Sequence, residues 1–321
     1  MPTRKPYSRI VFLLWITAVV LAIGVSIFLF NLLASNNAVV DSATIDPITS
    51  TVQPSVTSSP LPPTFTPHPP TATPIPPTDT PAVLGPHIIG TSVAGRPLEV
   101  YQFGSGPLEK MIVAGIHGGY EYNTIILSGE LIDYLSRHPE IIPPGQTLFI
   151  LKAFNPDGFE RSRGFGGRAN DNNVDLNRNF PNRWQPEWPR PGCWDYIPIT
   201  AGTSAASEPE TQALIKFITS HDLQALISYH SAALGIFPGG QPPDPQSVSL
   251  AEALASVSDY PYPPIEAGCV YTGQFIDWAS DLGIPAVDIE LTNHQDSDFE
   301  INLGILSVFL DWNKSEINSS Q

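Results

Sequence analysis

Beyond Pro86 the apolar positions of this chain fall into two alternating rhythms. Short apolar runs occur at Lys110–His117 (KMIVAGIH), Thr147–Phe154 (TLFILKAF), Ala225–Tyr229 (ALISY) and Ala286–Leu291 (AVDIEL). Their length, and the polar or turn-forming residues around them, predict buried strands. Between them apolar residues recur at helical spacing. Asn123–Arg137 sets Ile125, Ile126, Leu131, Ile132 and Leu135 along one stripe and predicts a helix. Ser207–His221 predicts a second, opened by Ser207 and Glu210 in the spacing of a capping box. Ser247–Asp259, Gln274–Leu282 and Phe299–Trp312 predict three more. Alternating strand and helix imply an α/β domain: a mixed, largely parallel sheet with helices on both faces.

The N-terminal part follows another pattern. Arg4, Lys5 and Arg9 precede an uncharged stretch from Ile10 to Phe30. A membrane helix needs roughly 20 apolar residues, and this run supplies them. It exceeds the roughly 7–15 residues of a cleaved signal's apolar core, and no small-x-small cleavage site follows. The basic flank marks the cytoplasmic side. Residues 1–9 are therefore predicted as a cytoplasmic tail and residues 10–33 as a transmembrane signal anchor. The protein would be single-pass in the cell membrane, with everything beyond Leu33 extracytoplasmic. Residues 34–86 are rich in Pro, Thr and Ser, and no Lys or Arg occurs between Arg9 and Arg96. Such a segment buries too little apolar surface to fold. It predicts a disordered, polyproline-like stalk reaching up to roughly 150 Å at about 3.1 Å per residue. Residues 87–315 remain as one domain.

Composition narrows the chemistry. A formal net charge of -16 argues against a nucleic-acid partner, because phosphate binding needs a basic surface. Two cysteines are too few for a thiolate zinc cage or a disulfide scaffold. Ligands of open α/β sheets bind at the carboxyl ends of the strands. The four predicted strands end at or run into His117, Asn155, His230 and Glu290. Two histidines and a carboxylate converging there point to a metal-assisted site. Catalytic zinc takes about three N/O ligands and leaves a position for water, so a His-His-carboxylate set fits.

The residues around these positions resemble the zinc carboxypeptidase superfamily, the carboxypeptidase A-like metallopeptidases, bacterial members included. IGTSVAGRPLEVYQFG resembles the family's first hairpin and GIHGGYE its metal-binding turn. NPDG with GRANDNNVDLNRNF is the most specific match. SYHS resembles the third-ligand strand, and YTGQFIDWA followed by GIPAVDIELT resembles the segment with the catalytic base. The resemblance runs from Ile88 to about Phe309. It implies zinc held by His117, Glu121 and His230, with Glu290 as general base. Arg168 would polarise the scissile carbonyl, and Asn177 and Arg178 would bind the substrate's C-terminal carboxylate. Tyr271 would close over that carboxylate, and Asp175 would orient His117. Ile276 would face the pocket for the C-terminal side chain, which implies apolar or aromatic residues rather than basic ones, since an unpaired charge there would be desolvated.

Two positions depart from the family pattern. The family's turn places Glu three residues after His, where this chain has Tyr120. Glu121 reaches the metal only if Gly118 and Gly119 absorb an extra residue; otherwise it caps the helix beginning near Tyr122. Tyr271 also lies closer to Gly273–Trp278 than its counterpart does, which leaves Tyr260 and Tyr262 as competitors. NPDG by itself reads as a turn. His138, His221 and His294 receive no role. Cys193 flanks the carboxylate-binding segment and Cys269 flanks Tyr271. An extracellular location permits a disulfide between them, the alternative being two separate buried thiols.

The function implied is a zinc metallocarboxypeptidase hydrolysing the C-terminal peptide bond of extracellular peptides. The same superfamily offers an alternative, peptidases that trim γ-D-glutamyl-diaminopimelate cell-wall peptides. A deacylase of the aspartoacylase type fits extracellular anchoring less well. A non-catalytic, peptide-binding ectodomain would lack a ligand or the base, and His117, Arg168, His230 and Glu290 all stand in place.

Overall fold

The computed structural model describes residues 84–194, 199–233, 235–265 and 268–314. They all fall in the unit Ile75–Gln321. The expected tail and anchor, and residues 34–83 of the expected stalk, lie outside the described residues. Among the described residues no helix is long and apolar enough to cross a membrane.

Seven strands form one sheet. In chain order they are β1 (Leu84–Thr91), β2 (Pro97–Gly104), β3 (Leu108–Val113), β4 (Gln146–Leu151), β5 (Leu223–Ser231), β6 (Gly235–Pro238) and β7 (Ala286–Leu291). Their spatial order is β1-β2-β4-β3-β5-β7-β6. The sheet is parallel only in its middle, where β4, β3, β5 and β7 adjoin. β1, β2 and β6 are antiparallel additions at the edges. The expectation of a largely parallel sheet therefore holds for the centre alone. The short edge strand β6 has too few residues to announce itself, and the β1–β2 hairpin returns through a tight turn rather than through a helix.

Among the described residues six α-helices accompany the sheet: α1 (Tyr122–Arg137), α2 (Pro156–Arg161), α3 (Pro209–Thr219), α4 (Pro245–Ala255), α5 (Phe275–Asp281) and α6 (Phe299–Asp311). The period-2 alternation of the central strands sorts them by face. Ile112, Ile150, Ile227, Tyr229 and Ile289 point to a core with α1, α4 and α6. Met111, Val113, Phe149, Leu226 and Ala286 point to the opposite core with α3 and α5. Each fully buried Leu or Ile contributes roughly 1.5–3 kcal/mol, so the central strands are anchored on both sides. Lys110 is buried as well. Its ammonium donates to the carbonyls of Phe309 (2.8 Å), Leu310 (2.7 Å) and Trp312 (2.5 Å). It thereby satisfies the C-terminal end of α6, although burial pulls its pKa down to about 8.

Local expectations changed at two places. The capping box at Ser207 and Glu210 does not form: α3 begins at Pro209, with Glu208 at the cap position and no side-chain cap bond. Proline suits the first helical position, and the Glu210 carboxylate is instead taken by the Val93 N–H of the β1–β2 turn (3.1 Å). NPDG is not an isolated turn but the start of α2. Asn155 caps it, its Oδ1 accepting from the Gly158 N–H at 2.8 Å.

Candidate metal centre and substrate cavity

β3 stops at Val113, and the chain leaves the sheet towards its carboxyl edge before reaching His117. Gly118 has φ +47°, and a Cβ there would lie 2.7 Å from the Gly167 carbonyl oxygen and 2.9 Å from that of Asn155. A Cβ on Gly119 would overlap the Ser162 carbonyl oxygen. Only glycine permits this close passage of two backbones. The resulting turn, closed by Tyr120 N–H to His117 O at 3.1 Å, sets Glu121 against His117. Glu121 occupies the cap position of α1 but makes no side-chain cap bond. Its carboxylate faces two imidazoles instead: Oε1 is 2.8 Å from His117 Nδ1 and Oε2 is 3.2 Å from His230 Nδ1.

His230 arrives from β5, directly across from Glu290 on β7. The two Nδ1 atoms are 3.2 Å apart, and the donor atoms of His117, Glu121 and His230 all lie within 4.8 Å of one another. A tetrahedral zinc with bonds of about 2.0 Å needs nitrogens about 3.3 Å apart, so the trio matches a zinc set in both donor type and spacing. Burial opposes charge on Glu121, yet the two histidines outweigh it and hold its pKa below the usual carboxylate range. For His230, Asp288 and Glu121 overcome burial and hold its pKa well above the ordinary imidazole value.

The outer nitrogens are also held. His117 Nε2 is 3.2 Å from Asp175 Oδ1, and Arg168 Nε donates to Asp175 Oδ2 at 2.9 Å. Burial disfavours the Asp175 anion, but Arg168 and His117 keep its pKa well below the ordinary range. His230 Nε2 lies 3.1 Å from Ser228 Oγ and 3.3 Å from Asp288 Oδ1. Each imidazole thus has a carboxylate behind it, an arrangement that fixes the tautomer and orientation of a liganding histidine. Asp288 was not singled out from the sequence. The available signal was its period-2 relation to Glu290, which puts both on one face of β7.

A cavity of about 260 Å³ opens at the trio, lined also by Arg168, Asn177, Arg178, Tyr271, Asp288 and Glu290. Glu290 accepts from the Ala233 N–H at 2.9 Å. Burial, with Glu121 and Asp288 adding to it against His230, pushes its pKa up to about 8. Arg178 is buried; its guanidinium donates to the Asn177 carbonyl (2.7 Å) and its Nε has no partner among the described residues. The Asn177 side chain accepts from the Phe275 N–H at the start of α5 (2.9 Å), so it lines the cavity and fixes a helix.

Of the three candidate tyrosines, Tyr271 lines this cavity, with its ring 5.4 Å from the Arg178 guanidinium. Tyr260 sits in the core with α1, α4 and α6, donating to Asp298 at 2.9 Å, and Tyr262 lines an adjoining cavity of about 730 Å³. Ile276 is buried in the wall of that second cavity, not of the first. Cys193 and Cys269 form a disulfide with a Cα–Cα distance of 4.6 Å, across the rim between the two substrate loops. Sequence reasoning also missed an aromatic edge. Tyr120 packs 4.7 Å from both Trp194 and His294, and Trp194 lies 4.6 Å from the Arg168 guanidinium.

A family model described as zinc carboxypeptidase matches residues 78–303. The chain belongs to that family. Murein peptide amidase A of Escherichia coli (strain K12) is 29% identical over 213 residues, 64% of this chain and 81% of the amidase. Gamma-D-glutamyl-L-diamino acid endopeptidase 1 of Lysinibacillus sphaericus is 27% identical over 243 residues, 63% of this chain and 59% of the endopeptidase. Among solved structures, murein-tripeptide amidase MpaA from Escherichia coli O157 covers 75% of this chain and 96% of its own, at 25% identity and a TM-score of 0.53. The chain is accordingly a zinc metallopeptidase, and His117, Glu121 and His230 form the group in it that could hold the ion.

Proposed function

We propose that this peptidase hydrolyses the amide bond before a residue with a free carboxylate, in cell-wall peptides that join γ-D-glutamate to a diamino acid. The observation that carries the reading is the cavity itself: a zinc trio, a poised carboxylate and a buried, incompletely partnered arginine share it. Similarity to most of the length of a murein peptide amidase favours cell-wall peptides.

Each side chain has a task that its surroundings support. A zinc ion held by His117, Glu121 and His230 would supply a bound water with its pKa lowered to about 7 and a Lewis acid for the scissile carbonyl. Glu290 takes the proton of the attacking water and returns it to the departing amine. Arg168, braced by Asp175, faces the carbonyl oxygen as negative charge develops, a contribution of about 3 kcal/mol for one such donor. Arg178 offers a planar fork to the free carboxylate, and Tyr271 closes beside it. Asp175 and Asp288 hold the two imidazoles in place.

The second reading is a carboxypeptidase acting on ordinary α-linked extracellular peptides, which the same carboxylate clamp would serve. The zinc-loaded protein should be assayed on L-Ala-γ-D-Glu-diaminopimelate and on α-linked peptides ending in Leu, Phe, Lys or Arg. Faster turnover of the γ-linked peptide is expected; cleavage of α-linked peptides alone would replace the first reading by the second. We also propose that residues 10–33 anchor the chain with its catalytic domain outside, where such substrates lie. Protease added to intact cells should then remove the domain, and protection from it would refute the orientation.

A further inference from the structure

We infer that Asp288 reads the substrate's side chain: its carboxylate receives the ammonium at the end of the residue whose α-carboxylate Arg178 holds. This rests on the reading of Arg178 as the carboxylate clamp. Strand register carries the argument first. Asp288 pairs with Ser228 on β5 and with Phe237 on β6, while Glu290 pairs with His230 and Gly235. The catalytic row therefore lies at the strand ends, and the Asp288 row lies two residues deeper, about 7 Å at the usual rise per residue. A long side chain spans that depth and a short one does not.

Charge carries it next. Asp288 is 4% exposed and lines the cavity of the metal trio. Its Oδ2 accepts from Gln274 Nε2 at 2.9 Å, whereas Oδ1, besides its ion pair with His230, has no hydrogen-bond partner among the described residues. That ion pair spans 3.3 Å to His230 Nε2, which lies 3.1 Å from Ser228 Oγ as well. If a metal ion took Nδ1, that imidazole would have a single proton to give, with both Ser228 Oγ and Asp288 Oδ1 within its reach. Arg178 Nε, in the same cavity wall, also has no hydrogen-bond partner among the described residues. A buried polar atom left unmatched is costly, and the wall of this cavity sets an anionic acceptor and a cationic donor of that kind within one site. A ligand with a carboxylate at one end and an ammonium at the other answers both. The neighbouring Phe237 and the tyrosine ring of Tyr271 supply apolar contact for the methylenes between them. Ile276, the expected determinant, lies in the wall of the other cavity.

Lysine and norleucine differ at the decisive point, having equal carbon chains with and without the ammonium. The test uses the purified full-length, zinc-loaded protein. Titration calorimetry compares free lysine with free norleucine, and kcat/KM is measured on matched peptides ending in either residue, γ-D-glutamyl and α-linked. Lysine is expected to be favoured about 10- to 100-fold, the effect of one hydrogen bond to a charged group. Asp288→Asn should collapse that ratio towards one. Equal or better use of norleucine by the wild-type protein overturns the inference without any variant. So does an Asp288→Asn loss that is the same for both residues, which would leave Asp288 as a support for His230 only. Cleavage confined to α-linked peptides would end the cell-wall reading but not this one, because the lysine-to-norleucine ratio is read in either linkage and in binding alone.

Discussion

Replacing Glu121 by Gln separates its two roles, metal ligand and helix cap. The change keeps size and shape but removes the anion that lies between His117 and His230. Because Glu121 makes no side-chain cap bond, the roughly 1 kcal/mol typical of a lost cap is not at stake. The zinc linkage is. At free zinc one hundred times its Kd, bound metal stabilises the wild-type fold by about 2.7 kcal/mol. For a domain of this size each kcal/mol raises Tm by about 2–4 °C, so zinc should raise it by about 5–11 °C. Perturbing an outer partner of a ligand already costs 10- to 100-fold in affinity, so losing a ligand should cost at least about 100-fold. At the same zinc concentration the variant then gains only about 0.4 kcal/mol, or about 1–2 °C. Scanning calorimetry with and without zinc, paired with elemental analysis of the dialysed protein, gives both numbers. A variant that retains stoichiometric zinc and the full rise in Tm would refute the ligand assignment and return Glu121 to the helix end.

Three further outcomes are expected. Glu290→Gln should retain zinc while kcat falls by about 10²–10⁴; near-normal turnover would mean that another group activates the water. Replacing Cys193 and Cys269 together by Ser frees a pair separated by 76 residues, and loop entropy sets the loss at up to about 4.5 kcal/mol. Urea titration measures it, and a change below about 0.5 kcal/mol would show that the bridge constrains little. Burial pushes the Glu210 pKa up to about 7 from an ordinary 4.5. The folded chain then holds a proton between those values that the unfolded chain has lost, so this stabilisation is full below the lower value and gone above the higher. The wild-type protein should lose up to about 3 kcal/mol relative to Glu210→Gln between pH 5 and pH 8, and parallel pH curves would refute the shift.

What the sequence determined by itself is what short-range pattern encodes. Short apolar runs bounded by polar and turn-forming residues marked the central strands, with β7 at the same bounds as observed, and helical stripes marked α1, α4, α5 and α6 within a few residues. The motifs brought His117, His230, Arg168, Arg178 and Glu290 to attention because their chemistry is tied to fixed local spacing. Tertiary structure decided the rest, since it depends on which distant segments touch. Glu121 stands at a helix start under either of its readings; only the passage of Gly118 and Gly119 against the backbone near Ser162 and Gly167 turns its carboxylate to the histidines. Tyr271 had Tyr260 and Tyr262 as competitors in the sequence, and packing buried Tyr260 in one core while setting Tyr271 beside Arg178. Cys193 and Cys269 meet only through folding. Asp288 shares a strand face with Glu290, which alternation alone conveys. Its place beside His230 follows from the pairing of β5 with β7, and a register shifted by one residue would have turned it into the opposite core.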